Sequence, residues 1–328
     1  MRRSAEAGMD VLVPLDGSSL AEQVLPLAAS LARHWRRTLQ LLSVVPATPA
    51  ATVTRKPAPA VPRPELDAEA RLRRYLDATA EKLSTTHDIP VSWAVMAGSP
   101  AEVIAERAAA LDAALVLMAT HGRGGLSRWW LGSVADGLLR RLTVPMLLYR
   151  PDHEPQIPDF SRVLVALDGS KEAEAALGPA LSLGSLSPAA SFTLVRVLEP
   201  PLSVAFPPAA APAFPPDWPG AEHAVAVRYL ERIAERLRER GIEVATSVLM
   251  GTGVAHQVTR LAREMNAGLI AVATHGAGGL ERMFLGSVAD KIIRSADHAV
   301  LVAPAGGVPA ARPGPRRQRR RSVKAGHQ

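Results

Sequence analysis

The residues of this sequence whose types and spacing could do chemistry fall in two pairs of turns. Asp16-Gly-Ser18 and Asp168-Gly-Ser170 each follow an apolar run, and about 105 residues later each is answered by a glycine-rich turn, Gly122 to Ser133 and Gly276 to Ser287. A glycine-rich turn that enters a helix gathers main-chain N–H groups and the positive end of the helix dipole at one point, which suits phosphate. Gly132-Ser133 and Gly286-Ser287 stand where those helices are expected to begin. The plainer reading is a tight loop that needs glycine for positive φ. Asp16 and Asp168 serve equally well as caps of the following turn or helix, a role that can coexist with a ligand contact. His121 and His275 lie in the same loops. Neither has a nucleophile or orienting carboxylate at recognisable spacing, so loop geometry is expected of them rather than acid–base catalysis. No Ser-His-Asp arrangement and no metal-ligand cluster stands out. Trp129 and Trp130 align with Met283 and Phe284, apolar in both places, and are expected to pack rather than to stack on a base.

These turns are positioned by a duplication. Val11-Leu-Val-Pro-Leu-Asp16-Gly-Ser18 returns as Val163-Leu-Val-Ala-Leu-Asp168-Gly-Ser170, an offset of 152, and Ala119-Thr-His-Gly122 through Asp136 returns as Ala273-Thr-His-Gly276 through Asp290, an offset of 154. Two blocks repeated in the same order mean that a whole domain was duplicated. Within each copy, short apolar runs alternate with segments of helical period, the pattern of parallel strands joined by crossover helices. Strands are predicted near 10–15, 39–45, 91–97, 114–119 and 144–149, and again near 162–167, 192–198, 242–249, 269–273 and 299–303. Leu20, Val24, Leu27, Ala28 and Leu31 share one helical face, with Ser19-Leu-Ala-Glu22 reading as a capping box; Leu72, Tyr75, Leu76, Thr79 and Leu83 share another. Ser99-Pro-Ala-Glu102 reads as a second box, with proline at the first helical position. The expected organisation is a domain at 9–150, a linker at 151–160, a second domain at 161–304 and a disordered basic tail at 305–328. Proline-rich stretches, Pro46 to Pro64 and Pro200 to Pro219, follow the second strand of each copy and are expected to be surface excursions, acting as lids.

The charge balance narrows the partners. The chain has 328 residues, 48% hydrophobic and 21% charged, and a net charge of +7. The segment from Ala305 onward holds seven basic residues and no acid, so the remainder carries 31 basic against 31 acidic residues and is neutral. Charge alone would give the tail weak contact with RNA, DNA or an anionic surface; no aromatic residues interleave to stack on bases. There are no cysteines, which excludes disulfides and thiolate chemistry. No apolar run approaches the roughly 18 residues of a membrane span. Met1 to Asp10 has no apolar signal core, and a cytoplasmic location is expected.

The Asp-Gly-Ser block, the Thr-His-Gly-x9-Gly-Ser block and a closing strand resemble, twice over, the universal stress protein family. The resemblance implies two tandem Rossmann-like (adenine nucleotide alpha hydrolase-like) α/β domains, each a five-stranded parallel sheet covered by helices. It implies ATP as ligand, with any Mg²⁺ carried on the phosphates. By position, the first site would use Pro14, Asp16, Val44, Gly122, Gly132 and Ser133, and the second Asp168, Val197, Gly276, Gly286 and Ser287. One departure stands out: where the family's ATP motif opens with glycine, this chain has Ala119 and Ala273. The added methyl is expected to crowd the approach of phosphate or ribose. Pro14 becomes Ala166 and Arg123 becomes Ala277, which removes a cation, so the first site is expected to bind more tightly. The fifth strands are expected to supply a pairing edge, giving a pseudo-dimer within one chain or a homodimer. The implied role is an ATP-binding stress sensor or regulator with little or no hydrolysis. Two alternatives remain: an interaction module that binds no nucleotide, favoured by the alanines, and an adenosine-nucleotide hydrolase on the same scaffold. For the tail, solvated charge is the expectation: deleting residues 309–328 should remove at most a weak nucleic-acid contact that salt already screens, and a large loss of affinity persisting at high salt would overturn it.

Overall fold

The computed structural model describes residues 10–46, 64–120, 131–150, 157–199, 218–274 and 285–305. The expectations for the proline-rich stretches, the tail, Gly122, Gly276, His121, His275, Arg123, Ala277, Trp129, Trp130, Met283 and Phe284 lie outside the described residues. Those of the first half form β1 (Val11–Pro14), α1 (Ser19–Glu22), α2 (Leu25–Trp35), β2 (Leu39–Val45), α3 (Pro64–His87), β3 (Val91–Ala97), α4 (Pro100–Ala110), β4 (Leu115–Ala119), α5 (Ser133–Leu139) and β5 (Met146–Tyr149). The second half repeats the order with β6 (Arg162–Ala166), a 3₁₀ turn at Ala173–Ala176, α6 (Leu177–Gly184), β7 (Ser191–Leu198), α7 (Trp218–Arg238), β8 (Glu243–Met250), α8 (Val254–Glu264), β9 (Leu269–Ala273), α9 (Ser287–Ser295) and β10 (Ala299–Ala303).

All ten strands join one sheet in the order β3-β2-β1-β4-β5-β10-β9-β6-β7-β8. Pairing within each half is parallel, and the fifth strands pair with each other antiparallel, Val300 opposite Leu148, Leu301 opposite Leu147 and Val302 opposite Met146. The strands of the two halves therefore run in opposite directions, and their carboxyl ends open at opposite ends of the sheet.

Because a parallel sheet carries helices on both faces, its central strands must be apolar on both. Alternate residues do this here: Val11, Val13, Leu39 and Leu41 face a cluster completed by α2, α3, α6 and α7. Leu12, Leu42, Val116 and Ile270 face a second cluster completed by α4, α5, α8 and α9. Both clusters run through both halves. Leu301 and Leu147, opposite each other at the joint, are fully buried in the first cluster.

Local sequence explains where elements differ from expectation. The first helix starts one residue earlier in its capping: Ser18, not Ser19, is the N-cap, and its Oγ accepts from Ala21 N at 3.1 Å. The single helix expected through Leu31 is two, because Pro26 in the first turn of α2 has no N–H and its ring would clash with the carbonyl of residue 22. Ser99 is the N-cap of α4 and Pro100 opens the helix, but the box is not closed: Ser99 makes no side-chain cap bond, and Glu102 reaches Arg141 at 3.5 Å instead. The last strand of the first half begins at Met146 rather than Val144.

Side chains reinforce the joint from one side. Arg150, just past β5, donates through both terminal nitrogens to the carbonyls of Ala296 and Ile293 at the end of α9, where a cation meets the negative end of the helix dipole. Burial lowers its pKa, and Asp297 partly offsets that. Arg294 bridges Asp290 at 2.9 Å and Asp136 of the other half at 3.1 Å. Among the described residues no helix is long and apolar enough to cross a membrane. Leu301→Ala is expected to cost about 2–5 kcal/mol and to lower the stability of both halves in a single transition, read by thermal or urea unfolding. Two separate transitions, one of them unmoved, would contradict a shared core.

Candidate functional site

In each half the strand order reverses beside the first strand, between β1 and β4 and between β6 and β9. A crevice opens outside the carboxyl ends of strands at such a point. The aspartate turns sit there. Leu15 N still pairs with Leu42 O at 2.8 Å, and the chain then turns through Gly17 at φ +82°. Asp16 Oδ1 accepts from Ser18 N at 2.9 Å. In the second half Leu167 N pairs with Val195 O at 2.8 Å, Gly169 has φ +101°, and Asp168 Oδ1 accepts from Ser170 N at 2.9 Å and from Ser170 Oγ at 2.6 Å. Both aspartates thus brace their own turns. Both are also exposed at the mouth of the crevice, and a carboxylate has about four acceptor positions, so bracing leaves capacity for a ligand.

The glycine-serine pairs stand where α5 and α9 begin. Gly132 is the N-cap of α5 (φ −54°, ψ 150°) and Gly286 that of α9 (φ −59°, ψ 144°), neither with a side-chain cap bond. The first intrahelical bonds run from Asp136 N to Gly132 O at 3.0 Å and from Asp290 N to Gly286 O at 2.9 Å. The N–H groups of Ser133, Val134 and Ala135 therefore have no acceptor within the helix. Gly132, Ser133 and Ser287 are exposed. A methyl built on Gly132 would meet no atom of the described residues within 4 Å. Val44 and Val197, half-buried near the ends of β2 and β7, pack toward the same face of the sheet as α5 and α9, together with Met118, Val134, Ala166 and Leu285. Pro14 ends β1 in register with Leu42.

The alanines that replace the family's first glycine lie differently from the expectation that they crowd this approach. Ala119 packs against the cluster under α2 and α3, the face of the sheet opposite α5. Ala273 lies in register with Ala303, which belongs to that same cluster. The next residue distinguishes the halves. Thr274 Oγ1 accepts from Ala305 N at 3.1 Å, whereas the buried Oγ1 of Thr120 has no partner among the described residues. The residue matching Ala305 at the 154-residue offset is Pro151, which has no N–H to give.

Sequence reasoning missed a tyrosine and a glutamate that recur beside the aspartate turns, Tyr75 with Glu22 and Tyr229 with Glu174. Their matching offsets, 154 and 152, were a signal that could have found them. Burial, then the neighbouring carboxylates, pushes both hydroxyls well above the usual tyrosine range. Among the described residues no group of three His, Asp or Glu is placed to hold a metal ion.

Comparison with known proteins agrees with this architecture. A sequence model of the universal stress protein family matches residues 9–150 and again residues 159–304. A universal stress protein of Mycobacterium bovis is 31% identical over 204 residues, 58% of this chain and 62% of that relative's own length. Another, from Mycolicibacterium smegmatis, is 26% identical over 302 residues, 89% of this chain and 96% of the relative. The crystal structure of a universal stress protein from Archaeoglobus fulgidus superposes with a TM-score of 0.68 at 22% identity, covering 90% of this chain and 98% of that one, and shows the same fold.

A folded-state tyrosine pKa above the unfolded value, about 10, gives stability that is present at lower pH and lost as pH rises through the folded value. Tyrosinate absorbance from Tyr75 and Tyr229, identified by difference against Tyr→Phe variants, should therefore appear only with alkaline loss of helical circular dichroism. Ionisation near pH 10 in the folded protein would contradict their burial.

Proposed function

The chain belongs to the universal stress protein family, and on that premise we propose that it binds an adenine nucleotide, ATP foremost, and works as a stress-response sensor or regulator. One observation carries the reading. In each half an aspartate turn at the end of the first strand and an uncapped Gly-Ser helix start open on the crevice where the strand order reverses. The donor set fits the ligand. Main-chain N–H groups with no helical acceptor, joined by the Ser133 or Ser287 hydroxyl, suit phosphate oxygens, and no atom of the described residues stands within 4 Å of a methyl built on Gly132. Asp16 or Asp168 would accept from hydroxyl or amino donors of the nucleoside, with Val44 or Val197 as apolar support. Gly122 and Gly276 complete the assignment by position. Mg²⁺ would be held mainly by the phosphates, as is usual for this hard, reluctantly dehydrated ion.

The reading without nucleotide drew its support from Ala119 and Ala273, and that support weakens because the Ala119 methyl faces the other side of the sheet. Binding would act by favouring one of two populations of the segments around the crevice, and its reach is limited by the ligand's differential affinity for them.

ATP titrated into the full chain by calorimetry should give saturable binding. Ser133→Ala removes one charge-assisted hydrogen bond, expected to weaken the first site by roughly 10- to 100-fold (about 1.5–3 kcal/mol), and Gly132→Val should weaken it further by filling the approach. Unchanged affinity in both variants would remove the helix start from the site.

A further inference from the structure

The two crevices are not equivalent at the aspartate, and the difference lies in one side chain. Pro14 pairs with Leu42 and Ala166 with Val195, so the next residues along β2 and β7, Ser43 and Arg196, occupy the same place in the two halves. Ser43 is buried, and its hydroxyl donates to Leu15 O at 2.7 Å, away from solvent. Above Gly17 no described atom stands: a methyl built there would meet nothing of the described residues within 4 Å. In the second half that space is filled. A methyl built on Gly169 would lie 2.8 Å from Arg196 Nη1, 3.0 Å from Cζ and 3.2 Å from Nη2.

The guanidinium is held where it is. It lies 5.8 Å from the centre of the Tyr229 ring, whose hydroxyl donates to Ser170 O at 3.4 Å, and Arg232 lies 5.6 Å from the same ring. Cation–aromatic contacts of this kind favour one resting position for a long side chain. Its charge also lies beside the Asp168 turn, whose carboxylate already takes two hydrogen bonds from Ser170 where Asp16 takes one from Ser18. A neutral nucleoside that approached Asp168 would have to displace the guanidinium from over Gly169 and from its aromatic seat, whereas no described side chain stands over Gly17 beside Asp16.

From this difference we propose that Arg196 is a specificity-determining residue that closes the second crevice to nucleoside, so that the chain takes one nucleotide tightly, in its first half. The inference rests on the nucleotide reading given above. It also accounts for why a duplicated site diverges at a strand end rather than in the helix start, which both copies retain as Gly-Ser.

The test uses the full chain, because separating the halves would expose the β5 and β10 edges that pair in it. Calorimetric titration with ATP is run on the wild type, on Arg196→Ser, which installs the first-half residue, and on Arg196→Gln, which keeps the length without the charge. Asp16→Ala in each background identifies the site being filled, and thermal unfolding of each variant confirms that it is folded. The wild type should bind one ATP per chain. Either Arg196 variant should add a second site tightened by at least about tenfold, and that site should survive Asp16→Ala. Two equal sites in the wild type, or a second site that Arg196→Ser and Arg196→Gln leave unchanged or weaken, would overturn the inference and leave the nucleotide reading intact; weakening would mean that the guanidinium holds phosphate instead. No ATP binding by any of the proteins would overturn both.

Discussion

Three antiparallel residue pairs between β5 and β10 hold this molecule together, and most of its other properties follow from them. Had the fifth strands stayed unpaired, each half would end in an apolar edge strand with its main-chain groups open to any other chain. Paired, they convert two five-stranded sheets into one of ten strands and let both apolar clusters run without a break from one half into the other. The side-chain bonds across the joint are secondary. The Arg294–Asp136 ion pair is partly exposed, and such pairs contribute about 0–1 kcal/mol. The Arg150 bonds to the end of α9 add direction rather than area. Antiparallel pairing also fixes where the crevices lie. They are four strand spacings apart, about 19 Å, and open at opposite ends of the sheet, so one nucleotide cannot bridge them.

Much of this was legible in the residue pattern because the pattern was written twice. All ten strands stand within about two residues of where apolar runs placed them, since a strand buried on both faces has few polar positions to blur its ends. The Gly-Ser pairs begin helices as expected for the same reason: Ser-Val-Ala-Asp follows each with helical period. Capping was harder to read. Ser18 and Ser19 are adjacent, both can cap, and only the backbone geometry shows that Ser18 does. The break at Pro26 was visible as a residue type, but the shared apolar face running through Leu31 outweighed it.

What could not be read is the direction in which a side chain points when two faces are both buried. Ala119 looked like an obstruction because it stands where the family's motif has its first glycine; the pleat of β4 turns its methyl to the other side. Arg196 carries no distinguishing signal in the sequence, since an arginine near a strand end is commonly a solvated charge. Its position over Gly169 needs the pairing register of β6 with β7 and the seat offered by Tyr229, two elements remote in the chain. The same register exposes the divergence of the two copies. The apolar positions, the helix starts and the tyrosine–glutamate pairs are kept, while Ser43 has become Arg196.

A crystal of the full chain grown with excess ATP tests the central claim most directly. Phosphate density within hydrogen-bonding distance of the Ser133 main-chain N–H and hydroxyl, with the nucleoside reaching Asp16, is the result this account requires. An ordered first half with that crevice empty, or with ATP bound elsewhere on the chain, would contradict it.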